Sequence, residues 1–382
     1  MNVQKYINDF KIILLFVYFI FNFFDRSISN IAILLALLIS IIDYKGLYES
    51  IINVKKLVIS IILFSAWISI SGYINDVPLN ELDNYYRFLL LIPLLSVNIS
   101  VSTIIRILFT SSVVALLHFL LFYFDHGHEG MRYSGTSSIT ITYTNISAIL
   151  LVLSIYFLFI YKISDKQKIM CVLTALIFMV LIIYTGSRGP MLGIVASILL
   201  LIILKRSILL FSILSVSLIG ILSTSNNMSN RLDDLYQLQS LEINKIKYRS
   251  IRERVYYNSS GRELIRDNYL FGIGPQNLIP SLESQMIRDN IKTVRAQDHL
   301  HNEFLDISVK YGLISLLLLI SMYYYFFSLS KNKELSLSII TLLTISQIFQ
   351  SHLAHNQAIT FYIVILMLIM RLKVDNNEKM DL

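Results

Sequence analysis

Apolar residues occur along this chain in long runs that are separated by short polar connections. A helix that crosses a bilayer needs about 20 apolar residues, and runs near this length recur from one end of the chain to the other. We therefore predict an all-α polytopic membrane protein with about 12 transmembrane helices. The approximate limits are 11–24, 28–42, 57–74, 88–101, 103–124, 139–161, 169–185, 190–204, 207–224, 312–329, 335–350 and 357–371.

One long polar segment interrupts this pattern between about residues 225 and 302. It contains a helix-like stretch, GRELIRDNYLF, and a glycine- and proline-rich turn, GIGPQNLIP. Long loops in compact proteins usually carry function. We divide the chain into spans one to nine (1–224), a long, partly helical loop (225–302), and spans ten to twelve with a polar tail (303–382).

The basic residues predict the orientation of the spans. Alternate connections, beginning with the N-terminal one, are rich in Lys and Arg, whereas the short connections on the other side hold only Arg26, Arg87, Arg132 and Arg188. By the positive-inside rule, both termini are predicted to be cytoplasmic and the long loop to lie on the outer face. An even number of spans agrees with this orientation.

Composition supports insertion into a membrane. The 382 residues are 55% hydrophobic and 15% charged, whereas soluble proteins average about 25% charged residues. The net charge of +7 follows the topology, so we predict a lipid bilayer as partner and no nucleic acid. The single cysteine, Cys171, lies in an apolar run, which excludes an intramolecular disulfide and favours a core residue over a catalytic thiol.

A tight outer turn, YTGSRGPMLG, carries one charge between two predicted spans. This charge is Arg188, and Pro190 suits the first turn of the helix that follows. Free amides at a helix start and a guanidinium group together can bind an anion. The alternative interpretation is an interfacial arginine that reaches the lipid phosphates.

A second basic stretch, SIRERVYYNSSGRELIRDNYLFGIGP, lies in the long loop. Tyr256 and Tyr257 are interleaved with its arginines and could line a sugar-binding groove by stacking. The alternative is a solvated amphipathic helix on the membrane surface. The arginines of this stretch that are spaced to share a helix face are Arg252, Arg254, Arg262 and Arg266.

Histidines and carboxylates gather just before the tenth span, in AQDHLHNEFLD. His299 and His301 can each accept a proton near neutral pH, as a general base must. Three carboxylates are near enough in sequence to orient an imidazole or to raise its pKa. They are Asp298, Glu303 and Asp306.

A metal site is the alternative interpretation of these histidines. The His-x-His spacing occurs again at His126 and His128, but neither pair has an accompanying cysteine and the spacing is not a zinc signature. We therefore predict no metal and no other cofactor. His352 and His355, in the last outer turn, are expected to be interfacial rather than catalytic.

Guanidinium groups and a candidate base on one face of the membrane fit a particular reaction. Arginine binds phosphate through its planar fork, so the leaving group would be a phosphate or pyrophosphate and the nucleophile a hydroxyl. Nucleoside triphosphates are not available outside the cytoplasm. An activated donor would therefore be linked to a lipid.

At these residues the chain resembles the O-antigen ligase and polymerase superfamily of bacterial envelope glycosyltransferases. The most specific motif of that superfamily is His, then Asn, Ser or Gln, nine residues, Gly, two residues, and Gly, Thr or Tyr. The matching positions are His301, Asn302, Gly312 and Ser315, and the serine departs slightly from the pattern. The resemblance covers most of the chain.

The arginines also resemble family positions. GSRG is similar to the arginine turn of the family, so Arg188 matches its first essential arginine. Arg254, which precedes LFGIG, resembles the second, and Arg252 is the alternative if the register differs by two residues. HLHNE and RYSGTSS resemble the ligase branch more than the polymerase branch.

The resemblance implies a reaction, which we take as an expectation. An O-antigen ligase moves a glycan from undecaprenyl pyrophosphate to a sugar hydroxyl of lipid A–core, with inversion, without metal, at the periplasmic face of the bacterial inner membrane. His301 would be the general base, and Arg188 and Arg254 would bind the pyrophosphate. Additional substrate contacts are predicted at Arg252, Arg262, Arg266, Asn302, His299 and Tyr256.

Two alternatives remain from the sequence. A polymerase of the same superfamily would extend an O-antigen, capsule or exopolysaccharide chain on its lipid carrier. A flippase for lipid-linked glycans would belong to a different class, but it should carry polar groups within its spans. Here Arg106 is the clearest charge inside a predicted span.

Overall fold

The structure is a computed structural model, and it describes residues 3–126, 140–205, 249–351, 353 and 355–373. Several predictions fall outside these residues: the ninth span at 207–224, the loop segment 225–248, RYSGTSS with Arg132, and the histidines His128 and His352. The described chain is almost entirely helical. Its main helices are α1 (Val3–Phe21), α2 (Arg26–Ile42), α3 (Tyr44–Asn53), α4 (Lys55–Ile74), α5 (Leu79–Tyr86), α6 (Leu91–Leu94), α7 (Val101–His126), α8 (Thr140–Ile160), α9 (Asp165–Thr185), α10 (Arg188–Lys205), α11 (Arg249–Asp267), α12 (Leu278–Arg288), α13 (Glu303–Tyr311), α14 (Leu313–Leu329), α15 (Lys333–Phe349) and α16 (Asn356–Arg371).

Four of the described helices are long and apolar enough to cross a membrane: α4, α7, α8 and α9. Helices α2 and α3 together make a fifth candidate, although they are bent by 89° at their junction. Helices α10, α14 and α16 are apolar but shorter. These helices support a multi-pass membrane protein, whereas the count of about 12 spans is not confirmed.

The span predicted at 88–101 is not a continuous helix. The chain there forms a 3-10 helix, Arg87–Leu90, then α6, and then strand β1, Ile99–Ser100. Pro93 lacks a backbone donor and lies inside this segment, which explains why a long helix does not form. β1 pairs in parallel with β2, Leu372–Lys373, and so joins this region to the end of α16.

Burial separates central helices from peripheral ones. The apolar window of α8 is 89% buried, and nearly every residue of α16 from Ala358 to Met370 is buried. The window of α9 is only 33% buried and leaves large side chains such as Leu176 exposed. A helix that is apolar all round belongs in the interior or in lipid, so α8 and α16 lie centrally and α9 presents its outer face to the bilayer.

The described part of the long loop has a small core of its own. Helices α11, α12 and α13 pack together around apolar side chains that include Tyr257, Leu282 and Val309. The segment LFGIG crosses the end of α13, where Ile273 N donates to Val309 O at 2.9 Å. These backbone bonds satisfy carbonyl groups that a helix end leaves open.

Gly312 makes this crossing possible. Its φ is +84°, and a Cβ at this position would lie 1.8 Å from the carbonyl oxygen of Leu270. Only glycine accepts both the positive φ and the close backbone approach. The glycine of the histidine motif therefore fixes how α13 meets the LFGIG segment, and Ser315 continues the junction through its hydroxyl, which donates to Ile307 O at 3.1 Å.

Candidate functional site

The imidazole of His301 lies against the end of α15. Its Nδ1 is 2.8 Å from the side-chain Oε1 of Gln350, and Gln350 is only 5% exposed. The ring of Tyr257, on α11, lies 5.8 Å from the His301 ring between centroids. The His301 backbone has a φ of +54°, a conformation that is uncommon for a residue other than glycine and often found at functional sites.

The loop that carries His301 is held by ionic groups on α13. Asp306 is fully buried, accepts a hydrogen bond from Leu300 N at 3.0 Å and pairs with Lys310 at 2.7 Å. Lys310 also donates to the carbonyl oxygen of Asp298 at 2.8 Å. Asn302 is the N-cap of α13 and accepts from Leu305 N at 3.2 Å. These bonds fix the backbone on both sides of His301.

The three carboxylates that we expected to orient an imidazole each have a partner, and only one of these partners is a histidine. Asp298 pairs with His299 at 2.7 Å, and Glu303 accepts a hydrogen bond from Leu353 N at 2.7 Å. Asp306 accepts a hydrogen bond from Leu300 N and pairs with Lys310. Asp298 therefore contacts an imidazole as expected, but it is that of His299, whereas the side chain that holds His301 Nδ1 is the neutral amide of Gln350.

Arg254 reaches the same end of α15 from α11. Its Nη2 donates to the carbonyl oxygen of Phe349 at 3.4 Å, and its guanidinium carbon lies 5.9 Å from the Phe349 ring centroid. Burial lowers the pKa of Arg254, and the Arg188 cation lowers it further. The two cations are thus near enough to repel each other.

Arg188 arrives from the turn between α9 and α10. Its neighbour Gly189 packs on the same aromatic residue, since a Cβ at Gly189 would lie 3.1 Å from Phe349 Cβ. The side chain of Arg188 is exposed. Phe349 therefore contacts Arg254 and the Gly189 backbone beside Arg188, and Gln350 contacts His301. The structure thus brings the three predicted catalytic residues to the end of α15.

His301 keeps its neutral form more readily than an ordinary histidine. Burial lowers its pKa, and the neighbouring His299 and the Arg254 cation lower it too. The Gln350 hydrogen bond and Glu253 act in the opposite direction, but the pKa remains lowered because burial and His299 have the largest effects. A neutral imidazole is the form that accepts a proton, so this environment favours a general base at neutral pH.

Two further imidazoles lie in this region, His299 beside His301 and His355 beside His299. The His299 ring lies 4.5 Å from the His301 ring in an edge-on arrangement, and the His355 ring lies 6.3 Å from that of His299. The hydrogen bond from His299 lowers the pKa of Asp298 to about 2, and burial lowers the pKa of His355 to about 4. His299 thus lies at the site, as the sequence predicted, and His355 lies closer to it than the sequence indicated.

The other predicted arginines of α11 are Arg252, Arg262 and Arg266. Arg252 is two positions, or about 200°, away from Arg254 around the axis, so both cannot face α15. Arg262 and Arg266 are exposed, and Arg266 pairs with Asp267 at 3.3 Å. The contact with Phe349 and the register of α11 therefore favour Arg254 over Arg252 as the residue that faces the end of α15.

Tyr256 does not offer its ring to a sugar. It is 1% exposed, and its hydroxyl donates to Leu282 O at 2.9 Å within the core between α11 and α12. The expected role in sugar stacking is therefore wrong for Tyr256, since stacking needs an accessible ring face. Tyr257 is also buried, but it packs beside His301.

The sequence did not point to Phe349 or Gln350. In the sequence, Gln350 is marked only as a glutamine near the end of an apolar run. Gln347, three residues earlier, has the same property, so the sequence does not distinguish them. Gln347 bonds instead to Tyr323 inside the bundle. Only the packing of α15 against α10 and α11 distinguishes the two positions.

A comparison with known families agrees with the motifs. Residues 172–320 match the family model described as O-Antigen ligase. This match confirms the predicted resemblance and supports the O-antigen ligase superfamily, whose members are glycosyltransferase-like enzymes, for this chain. The matched residues include Arg188, Arg254 and His301 but end before Gln350. No curated protein matches the chain significantly.

Proposed function

We propose that the chain is an O-antigen ligase, which transfers a glycan from undecaprenyl pyrophosphate to a sugar hydroxyl of lipid A–core. The observation that carries this proposal is the meeting of Arg188, Arg254 and His301 around the end of α15. Two neighbouring cations form a site for a multiply charged anion. An imidazole with a lowered pKa beside them can take the proton of a hydroxyl group that acts as the nucleophile.

In this mechanism Arg188 and Arg254 bind the pyrophosphate and stabilise the charge that grows on it as it leaves. The acceptor oxygen forms a bond to the anomeric carbon while the bond from that carbon to the pyrophosphate oxygen breaks. His301 takes the proton of the acceptor hydroxyl. A single displacement of this kind inverts the anomeric centre, and the arginines supply the electrostatic stabilisation without a metal ion.

The membrane explains the position of the site. We propose that it lies at the periplasmic face of the bacterial inner membrane, with both termini in the cytoplasm. The arginine turn joins the apolar helices α9 and α10, and His301 precedes the apolar helix α14 by one short helix. A pyrophosphate at the headgroup level would reach the arginines while its prenyl tail remained among the lipids.

A deletion strain of the native host tests this function. The lipopolysaccharide would be separated on a gel, and the glycan bound to undecaprenyl pyrophosphate would be extracted. An O-antigen ligase predicts bare lipid A–core and long glycan accumulating on the prenyl carrier, both reversed by the wild-type chain. Core with a single repeat unit, or lipid-linked units that stay on the cytoplasmic face, would instead indicate a polymerase or a flippase and contradict the proposal.

A further inference from the structure

The hydrogen bond between His301 and Gln350 has a chemical consequence for the direction of proton transfer. The Gln350 atom that faces His301 Nδ1, at 2.8 Å, is the amide oxygen, which can only accept a hydrogen bond. With the amide in this orientation, Nδ1 is the donor and carries the proton in the neutral ring. The proton-accepting lone pair of the imidazole is then on Nε2.

We propose that Gln350 is the positioning residue of the site: it holds His301 in the Nδ1–H tautomer and directs Nε2 toward the acceptor hydroxyl. This inference rests on the proposed function, because it assigns the atoms of the same proton transfer. The acceptor O–H bond breaks, its proton goes to Nε2, and Nδ1–H remains bonded to Gln350 Oε1. The resulting imidazolium carries one proton on each nitrogen.

The position of Gln350 suits this role. The residue follows α15 directly, is 5% exposed, and adjoins Phe349, whose carbonyl oxygen accepts from Arg254. The two consecutive residues Phe349 and Gln350 therefore position both the His301 imidazole and the Arg254 guanidinium. A shift of this backbone would move the base and the pyrophosphate site in the same direction.

A neutral partner orients the ring without making it strongly basic. A carboxylate at the same place would stabilise the imidazolium and raise its pKa by about 1–3 units. The groups that face His301 are His299 from its own loop, and Glu253, Arg254 and Tyr257 from α11. Burial, His299 and Arg254 keep the pKa of His301 low against the opposing effects of Glu253 and Gln350, and a neutral amide raises this pKa less than a carboxylate would.

The tautomer can be measured without any substrate. The chain has seven histidines, so the full-length protein labelled with 15N-histidine in liposomes gives few imidazole signals by solid-state NMR. The His301→Asn variant assigns the signal of His301. We expect a protonated Nδ1 and an unprotonated Nε2 in the wild type, and a shift toward the Nε2–H form in Gln350→Leu. A protonated Nε2 in the wild type, or no change in Gln350→Leu, overturns the proposal.

The pH dependence of transfer gives the second test. The probes are undecaprenyl-linked glycan and lipid A–core extracted from the deletion strain, with the purified chain in liposomes. We expect Gln350→Leu to lose roughly tenfold in rate. Gln350→Glu should move the midpoint of the acid limb upward by about 1–3 pH units. An unmoved midpoint in Gln350→Glu contradicts the proposed role.

The matched control is Gln347→Leu, which removes a buried glutamine from the last turn of α15, three positions before Gln350; the Gln347 side chain bonds to Tyr323. It should leave the His301 tautomer and the midpoint unchanged. Equal effects of Gln347→Leu and Gln350→Leu on both readouts would show that the role of Gln350 is merely structural. If His301→Ala still transfers glycan, the proposed function fails, whereas the tautomer measurement still decides whether Gln350 holds the ring.

Discussion

Two clusters of charged side chains in this molecule handle charge in opposite ways. In the first, Lys11 and Asp43 form an ion pair at 2.6 Å that is almost fully buried, and Ser96 accepts a further bond from Lys11 at 2.8 Å. In the second, Arg188 and Arg254 are like charges held near each other. Opposite charges in pairs are typical of structure, whereas an excess of one sign is typical of a site for a charged ligand.

The two clusters should therefore respond differently to the loss of one charge. Removing a partner from the first leaves an uncompensated buried charge and destabilises the fold. Removing a cation from the second relieves repulsion and should cost function instead of stability. Substitutions in the two clusters therefore distinguish a structural role from a functional one.

The largest effect on stability is expected for Lys11→Met. This variant leaves Asp43 buried without its cation, which costs about 3–5 kcal/mol in comparable buried pairs. Thermal unfolding of the purified protein in lipid nanodiscs measures the change. Lys5→Met, at an exposed position of the same helix, is the control. The double variant Lys11→Met/Asp43→Leu should recover most of the loss, and a single variant as stable as the wild type would contradict this role.

Arg188→Ala and Arg254→Ala should each reduce the transfer rate by about 10²–10³, which corresponds to about 2.7–4 kcal/mol for an electrostatic donor at a reacting centre. The unfolding temperature should stay the same or rise, because a repulsive contact is lost. The control is Arg288→Ala, an exposed arginine on α12 that pairs with Glu263. Transfer at the wild-type rate by either variant would show that this guanidinium does not bind the leaving group.

The fold that supports the second cluster depends on Gly312. Gly312→Ala would place a methyl group against Leu270 O at a position of positive φ, so we expect a destabilisation of at least about 2 kcal/mol. Unfolding in nanodiscs measures it, with Leu317→Ala at an exposed position of α14 as the control. A Gly312→Ala variant as stable as that control would show that the backbone crossing is not tight.

The smallest effect concerns pH. Since burial, His299 and Arg254 lower the pKa of His301, transfer by the wild type should fall in acid with a midpoint below the ordinary histidine pKa of about 6.5. His299→Ala should remain active and move this midpoint slightly upward, because it removes one of the groups that lower the pKa. A complete loss of activity in His299→Ala alone would mean that His299, and not His301, is the base.

The sequence allowed the class of fold and the core of the site to be predicted, for physical reasons. Apolar runs indicate membrane helices because a bilayer requires long apolar stretches, and the match at residues 172–320 supports the resemblance to the O-antigen ligase superfamily that the motifs indicated. The prediction of a continuous span at 88–101 was wrong, because mean hydropathy does not distinguish one long helix from short helical turns around Pro93.

Side-chain partners were harder to predict than residue types. Tyr256 and Tyr257 are adjacent, yet one fills the loop core and the other packs on His301, since neighbouring positions of a helix face different directions. The three carboxylates near His301 have partners of three kinds: Asp298 pairs with the adjacent His299, Asp306 with Lys310 one helix turn later, and Glu303 with the backbone of the distant Leu353. Gln350 lies 49 positions from His301, and no local pattern connects them.

The central claim is that His301 takes the proton of the acceptor hydroxyl beside the two arginines. The most direct test is the transfer rate of His301→Ala relative to the wild type, with equal amounts of purified chain in liposomes and the glycan donor and lipid A–core described above. His118→Ala, which removes a histidine from α7, is the control. The account predicts a loss of at least about 100-fold for His301→Ala alone. Transfer by His301→Ala at a rate close to that of the wild type would contradict it.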